Sequence, residues 1–529
     1  MNLFIKIFIS LTLLLSIGIG NSFNKDKKEK KPNIIFILSD DHTTNAISSY
    51  GGIYKDIAPT PNIDKIAGDG AILKNVFATN SICGPSRASI LTGTYSHVNG
   101  YYKNYKGGVF NNNLWTFPQE LQKSGYNTAL VGKWHLASEP VGFDYFKYHV
   151  SRGQQGFYWN PVYNDNGQEI TESGYATNLT TDFALDWLKK RDSKDPFCLL
   201  LQYKAPHREW SPDKKYENLW DDIDLPYPST FDDNYKTREL TAGNTEMTMD
   251  YFCREDMKLS PPDSLNEKEK RQWLSYGFKR NEIVTLDNKV STNENKKLRF
   301  QKYIKDYLAT IKSVDDNIGR VLNYLKESDL EDDTIIIYAS DQGFFIGEHG
   351  WFDKRFMYEE SIRMPFVIKY PGVIEPNTIN KDIITNIDFA PTILEMLGIE
   401  SPNSIQGKSF FDNLVTNDSK AWRQSMYYHY YEYPFYHHVQ PHYGIRNERY
   451  KLIHFYYDID VWELYDLEKD PNELKNLINS KKYQDLVVEL KNELYKLKKH
   501  YGNNASLSEM RDISKTDFGG LESNKKKSW

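Results

Sequence analysis

The feature that narrows this chain most is an alternation between two kinds of hydrophobic run. Residues 33–38 read Asn-Ile-Ile-Phe-Ile-Leu, 128–131 Thr-Ala-Leu-Val, 197–201 Phe-Cys-Leu-Leu-Leu and 334–338 Thr-Ile-Ile-Ile-Tyr. None alternates apolar with polar residues, so none has a face to give to water, and each predicts a strand covered on both sides. Between them, apolar residues fall at helical spacing over 116–124, 179–190 and 300–326. Strands and helices taking turns predict an α/β fold: a large, mixed but mainly parallel sheet with helices on both faces. Ligands of such sheets collect beyond the carboxyl ends of the strands.

Two stretches break the rhythm. Residues 211–298 are rich in Asp, Asn, Lys, Glu and Pro, an excursion expected to face substrate. Beyond residue 400 the chain turns aromatic, with strand-like segments at 424–431 and 443–457 and a terminal helix at 483–500. This predicts a smaller α+β subdomain over 401–529 with a frayed tail from Ser514, behind a catalytic domain over 32–400. At the front, Lys6 precedes an apolar run over 7–19 and the small residues Gly18, Gly20 and Ser22. The run is short of the ~20 residues of a membrane span. Residues 1–22 are therefore expected to be an export signal and 23–31 a charged linker, with a periplasmic or secreted product and no stable membrane insertion.

Composition excludes some functions. Lys and Arg number 66 against 72 Asp and Glu, a net charge of −6, so no nucleic-acid partner is expected. An anionic ligand stays admissible, because a site can be locally positive. Three cysteines cannot make a disulfide framework.

Three constellations carry chemistry. Asp40 and Asp41 follow the first strand, and Asp341 and Gln342 follow the strand at 334–338. Parallel strands bring both ends to one rim, an all-oxygen set suited to a hard cation such as Ca²⁺. The third is Cys83-Gly-Pro-Ser-Arg87 followed by Leu91-Thr-Gly93. Pro85 suits a helix start, which puts Cys83 just before a helix N-terminus with Arg87 one turn on. That electropositive place is expected to activate a nucleophile. A buried structural cysteine is the alternative at this point.

Cys83-x-Pro-Ser-Arg87 with Leu91-Thr-Gly93 resembles the signature of the type I, formylglycine-dependent sulfatases of the alkaline phosphatase-like superfamily. The resemblance continues through residues 33–42, Gly132-Lys-Trp-His-Leu136, Ala205-Pro-His207, Ser340-Asp-Gln-Gly343, Gly347-Glu-His-Gly350, Lys354 and Trp462-Glu-Leu-Tyr-Asp-Leu467. It implies a large α/β domain with a C-terminal domain carrying a small antiparallel sheet. It implies that a maturation enzyme oxidises Cys83 to formylglycine, and that Asp40, Asp41, Asp341, Gln342 and the matured residue 83 bind Ca²⁺. Gln342 departs from the Asn or His of many members, but also offers a carbonyl oxygen. By the same resemblance Lys133 and Lys354 neutralise sulfate and Arg87 holds the hydrated aldehyde. His135 takes the proton that lets sulfate leave, and His207 protonates the leaving oxygen. The family's sulfate-contacting serine has no clear counterpart.

Asp353 and Arg355 flank Lys354 and resemble the pair that grips sugar hydroxyls in carbohydrate sulfatases; a local ion pair is the alternative. His437 and His438, with His429 and His442, lie among tyrosines suited to a sugar or to an aromatic core. Lys204 is either a sulfate contact or a surface lysine. Cys198 is expected to be inert core, and Cys253 has no assignment. The function expected is an exported sulfatase acting on a sulfated polysaccharide or its oligosaccharides, algal such as ulvan or glycosaminoglycan-like. A phosphoric or phosphonic monoester hydrolase is the alternative. A silent carbohydrate-binding protein is disfavoured by the complete set of reactive residues.

Overall fold

The computed structural model describes residues 31–192, 194–252, 256, 266–268, 270–271, 292–416 and 422–520. The expected export signal, nearly all of the linker and Cys253 lie outside them. No helix among the described residues is long and apolar enough to cross a membrane.

The strands, in chain order, are β1 (Asn33–Ser39), β2 (Ala71–Phe77), β3 (Asn127–Gly132), β4 (Tyr145–His149), β5 (Val162–Asp165), β6 (Gln168–Thr171), β7 (Phe197–Gln202) and β8 (Thr334–Ser340). There follow β9 (Phe345–Ile346), β10 (Phe352–Asp353), β11 (Arg363–Lys369), β12 (Thr378–Asn380) and β13 (Ile384–Thr385). The main sheet has the order β12-β2-β11-β8-β1-β7-β3-β4-β5-β6, with β13 also on β2. Its centre, β8-β1-β7-β3-β4, is parallel, as expected from the apolar runs. Antiparallel β11 is inserted between β2 and β8. Pro365 sits where the β11–β2 register shifts, a bulge that tolerates its missing N–H.

The pleat sorts the core. Ile34, Phe36 and Leu38 of β1 pack with Ala88 and Leu91 of the helix Cys83–Thr92, Leu121 of Phe117–Lys123 and Ile393 of Phe389–Met396. Ile35 and Ile37 face Ile63 of Pro61–Gly68, Leu188 of Ala176–Lys190 and Val314 and Ile318 of Thr292–Glu327. Each fully buried Ile contributes roughly 2 kcal/mol, so the central strands are the stiffest support available for a site on their rim.

The C-terminal part forms a four-stranded antiparallel sheet: β14 (Ser425–Tyr430), β15 (His442–Asn447), β16 (Tyr450–Phe455) and β17 (Val461–Asp466). The single segment expected at 443–457 is thus a hairpin. The helix Gln484–His500 packs on this sheet through Val487, Leu490 and Leu494. It is not terminal: a further helix, Leu507–Lys515, runs through Ser514, where the frayed tail was expected to begin, and residues 521–529 of that tail lie outside the described residues. Ser506 and Glu509 close its capping box, and Lys103 donates to the carbonyls of Ser514 at 2.8 Å and Thr516 at 2.6 Å. The excursion is not wholly substrate-facing either. Leu225, Phe231 and Met249 are buried against Phe300, Tyr303 and Tyr307 of the long helix.

Candidate active site

Strands β1 and β8 pair in parallel from Asn33↔Thr334 to Ser39↔Ser340, so the residues after them emerge side by side. There Asp40, Asp41, Asp341 and Gln342 are fully buried. One oxygen from each aspartate lies within 4.8 Å of the others. Asp41 turns there at φ 65°, with its N–H donating to Asp341 Oδ1 at 3.2 Å and its carbonyl accepting from Tyr307 at 2.7 Å. Two lysines reach the cluster from other strand ends. Lys133, directly after β3, pairs with Asp40, and Lys354 Nζ, directly after β10, lies 2.7 Å from Asp41 Oδ2. The Gln342 amide donates to Asp41 and stands 3.8 Å from Cys83 Sγ.

Burial opposes charge at all three aspartates. At Asp40 it is outweighed by Lys133, His207, Arg87 and Lys354, which hold the carboxyl well below its ordinary range. Burial lifts Asp41 to about 6 against the pull of Lys354, and burial with the charge of Asp40 lifts Asp341 to about 8. Two lysines and an arginine match the three carboxylates in number, yet burial still disfavours ionising all three at once. Asp40 Oδ1 and Gln342 Oε1 are buried without a hydrogen-bond partner among the described residues. Orphaned oxygens in an all-oxygen donor set fit a hard divalent cation.

Cys83 begins the helix Cys83–Thr92, two residues before the start expected at Pro85, and the whole helix is buried. Its sulfur and one ligand atom each of Asp40 and His207 lie within 4.8 Å of one another. Burial and the charge of Asp40 push the thiol well above its ordinary value, against Lys133 and Lys354. The electropositive activation expected at this helix end therefore does not reach the unmodified thiol. Arg87, one turn on, ties the rim together. Its Nε donates to Asp341 Oδ2 at 2.9 Å, and its Nη1 donates to the carbonyl of Lys133 at 3.0 Å and to Gln202 Oε1 at 2.6 Å.

His135 is buried in the loop after β3, at φ 58°. Its carbonyl oxygen lies 3.2 Å from where a Cβ on Gly84 would stand, so the loop lies against the residue next to Cys83. His207 Nε2 is 3.8 Å from Asp41 Oδ2, and its Nδ1 is 2.7 Å from the Arg208 carbonyl. That contact places the proton of the neutral ring on Nδ1 and turns Nε2 to the cluster. Burial holds the ring well below its ordinary value, against the charge of Asp40. Lys204 is buried rather than a surface lysine, 3.2 Å from the Arg208 carbonyl and 5.0 Å from the centre of the Tyr158 ring.

Beside this cluster stands a second one. Asp353 Oδ2 is 3.2 Å from His437 Nε2, and Asp353 Oδ1 is 3.3 Å from Arg355 Nε. Arg355 Nη1 donates to Glu432 Oε1 at 2.7 Å and to Tyr430 at 3.1 Å. Asp353, Arg355 and His437 all adopt left-handed backbone angles, φ 78°, 96° and 66°. Side chains other than Gly pay to sit there, and such positions concentrate at functional sites. His438 does not join this cluster; it is exposed and pairs with Glu246 at 2.9 Å. His429 and His442 belong to the aromatic core. His429 is 2.9 Å from the hydroxyls of Tyr427 and Tyr456, and His442 accepts from the Met357 N–H at 3.0 Å. Cys198 is buried in β7, its thiol pushed up by burial alone.

Three residues escaped the sequence. Gln202, which takes Arg87, ends β7, so the strand-end rule that found Asp40 also points to it. Glu432, which takes Arg355, and Arg208, which pairs with Asp256 and stands 3.4 Å from His437, carry no such signal.

A family model described as Sulfatase matches residues 32–399, and one described as N-sulphoglucosamine sulphohydrolase, C-terminal, matches residues 347–500. The chain is 42% identical over 516 residues to an N-acetylglucosamine-6-O-sulfatase of Bacteroides thetaiotaomicron, across 93% of this chain and 91% of that one. To an ulvan-active sulfatase of Formosa agariphila it is 25% identical, across 93% and 86%. One solved structure, of a protein in complex with its substrate D-glucosamine-2-N,6-O-disulfate, matches at 42% identity and TM-score 0.86, over 90% of this chain and 99% of that one. A phosphonate monoester hydrolase from Silicibacter pomeroyi shares the fold, at 20% identity and TM-score 0.68 over 90% and 96%.

Proposed function

The chain belongs to the sulfatase family, and on that premise we propose that it removes a 6-O-sulfate from a glucosamine-type sugar of a glycosaminoglycan or its oligosaccharides. The observation that carries this reading is Lys354. Its ammonium lies on Asp41 in the acidic cluster while its two chain neighbours, Asp353 and Arg355, form the cluster beside it with His437. One residue step thus joins a place for a sulfate to a place for ring hydroxyls, which a carboxylate and a guanidinium grip in pairs. The identity of 42% to an amino-sugar sulfatase, against 25% to an ulvan-active one, supports an amino sugar over the algal polymer. The phosphonate-hydrolase alternative rests on fold alone.

The roles follow from placement. Asp40, Asp41, Asp341 and Gln342, with residue 83, hold a Ca²⁺ ion, which supplies charge neutralisation for the sulfate oxygens. Formylglycine at position 83, made by a maturation enzyme, supplies in its hydrated form one hydroxyl for attack on sulfur and a second whose deprotonation releases sulfate. The neutral, buried thiol of unmodified Cys83 is unsuited to that work, which supports conversion. Lys133 and Lys354 hold the sulfate and orient it for displacement. Arg87, anchored on Asp341, holds the hydrated aldehyde of residue 83. His207 is neutral without substrate, and a sulfate ester brought against its Nε2 draws a proton to that atom for the departing alcohol. His135 receives the proton from residue 83. Export to the periplasm or beyond, where such polymers are met, completes the proposal.

The test is sulfate release by protein co-produced with a formylglycine-generating enzyme, with conversion of residue 83 checked by mass spectrometry. Glucosamine-6-sulfate and heparin-derived oligosaccharides are compared with ulvan oligosaccharides and an aryl phosphonate. Turnover of the amino sugars is expected. Turnover of ulvan alone, or of the phosphonate with Mn²⁺ or Zn²⁺ in place of Ca²⁺, overturns the proposal.

A further inference from the structure

The loop that carries His135 leaves the sheet at Lys133 and makes two unusual turns. His135 and Ala137 both take left-handed backbone angles, φ 58° and 57°. Neither residue is glycine, so the surrounding structure has to enforce the conformation. The front of the loop is held by the rim: Lys133 N–H donates to Gln202 at 2.8 Å, and the Lys133 carbonyl accepts from Arg87 at 3.0 Å. The back of the loop is held by the Phe110 N–H, which donates to the Leu136 carbonyl at 3.0 Å, by Trp134 Nε1 on Ser138 Oγ at 3.3 Å, and by one side chain that bonds three successive residues. Gln154 Oε1 accepts from the N–H of Leu136 at 3.1 Å and of Ala137 at 2.9 Å, while its Nε2 donates to the Ser138 carbonyl at 2.9 Å. An amide carries the double acceptor and the donor on separate atoms, as these three bonds require. Gln154 is buried at 7% exposure and itself sits at φ 66° on the irregular turn Ser151–Gln154. The backbones of three consecutive residues immediately after His135 thus bond to a side chain 19 positions away from it.

We propose that Gln154 is a positioning residue for His135: its amide clamps residues 136–138 and so fixes the backbone that carries the imidazole, the His135 carbonyl lying against Gly84, next to residue 83. This deepens the proposed function and rests on the reading of His135 as the proton acceptor. The consequence is kinetic. A proton acceptor moved by about 1 Å loses on the order of a hundredfold in rate. A clamp acting only through His135 has nothing to lose once that imidazole is gone.

The experiment is a double-mutant cycle on the matured protein with a sulfated amino sugar. Gln154→Leu, which keeps the volume and loses all three hydrogen bonds, is expected to lower kcat by about ten- to a hundredfold with KM changed by less than about threefold. Gln154→Glu keeps the acceptor for the two N–H groups, so it is expected to retain more activity than the Leu variant. In a His135→Ala background, Gln154→Leu is expected to cost less than about twofold further. The same cost in both backgrounds means a general structural role and overturns the proposal. So does wild-type kcat in the Leu variant. If His135→Ala alone keeps wild-type turnover, the reading of His135 fails, and the clamp's catalytic role fails with it. If the Leu variant does not fold, the Glu variant is carried through the same cycle and decides by the same criterion.

Discussion

At the scale of single residues, the site separates into groups whose loss has different signatures. Cys83→Ala removes the precursor of the nucleophile, so turnover is expected to fall by at least ~1000-fold at unchanged thermal stability; retained turnover in a sulfate-release assay refutes the role. Gln342 donates to Asp41 and keeps its own buried carbonyl oxygen without a partner. Gln342→Ala is therefore expected to weaken binding of the proposed Ca²⁺ about 10- to 100-fold, by analogy with the loss of metal-orienting partners. Calorimetric titration of chelator-stripped protein reads this directly, and unchanged affinity removes Gln342 from the ligand set. Glu432 divides its two oxygens. Oε1 takes Arg355 at 2.7 Å, and Oε2 takes the N–H groups of Asn104 and Tyr105 at 2.7 and 2.8 Å. Glu432→Gln leaves Arg355 short of a buried counter-charge, at a stability cost of about 3 kcal/mol, and should raise KM for the sugar more than it lowers kcat. A larger kcat effect than KM effect contradicts a substrate-side position. That Asp40 and Asp341 meet was legible from their strand-end positions, and the placing of Cys83 from the Pro85 that marks a helix start. Glu432 and Gln154 were not, because a buried carboxylate or amide is recognised only by the groups that face it, and those lie far away in the chain.

At the scale of elements, the loop after the helix Ser96–Asn99 is held from two sides. On one side Asn104 and Tyr105 rest on Glu432, and the Asn104 side chain accepts from Gly84 N–H at 3.0 Å. On the other, buried Lys103 crosses the end of the helix Leu507–Lys515, Lys106 pairs with Asp517 at 2.9 Å, and Phe518 stacks on Tyr102 at 5.8 Å. The last carbonyls of a helix lack intrahelical partners, and an ammonium is a strong donor for them. Lys103→Met should cost about 2 kcal/mol. It should also speed amide exchange over 507–516 and expose 101–110 to protease while the central strands stay protected; uniform exchange would show that the arm is not a separate unit. This arm is where the sequence reading of the fold failed. The central strands were legible because continuous apolar runs announce burial. The helix Leu507–Lys515 was not, since of its nine residues only Met510 and Ser514 are buried, and part of what holds it is Lys103, some 400 residues away. Strands β2 and β11 were also missed, because Lys74 and Asn75 interrupt one and Pro365 the other.

At the scale of the whole molecule, the reserve against acid is set by where the fold puts its histidines. The sequence contains 12, and nothing in their spacing tells which are buried. Burial pushes His42, His149 and His442 down to about 3. His207, His429 and His437 are also held below the ordinary value, chiefly by burial. On unfolding each recovers a value near 6.5. Below that pH the unfolded chain binds more protons than the folded one, so stability must fall as pH falls. Asp41 and Asp341, raised to about 6 and about 8, pull the other way, because their folded forms hold protons that the unfolded ones release. Glu348 and Glu473, raised to about 7 and about 8, and Asp315 and Glu463, also raised, pull that way too, while His97 and His454 join the six imidazoles. Eight lowered histidines still outnumber six raised carboxylates, and a bound cation that keeps both aspartates ionised widens the margin. Each excess proton is worth about 1.4 kcal/mol per pH unit. A net excess of about two protons then gives a slope of about 3 kcal/mol per unit, against a typical reserve of about 5–15 kcal/mol. With saturating Ca²⁺, the urea midpoint is expected to hold from pH 8 to about 6.5 and then fall steeply towards pH 4.5. In chelator the fall should be shallower, since the two aspartates then offset part of it. A midpoint that stays flat or rises between pH 6.5 and 4.5 would mean that these imidazoles take up protons while the protein is still folded.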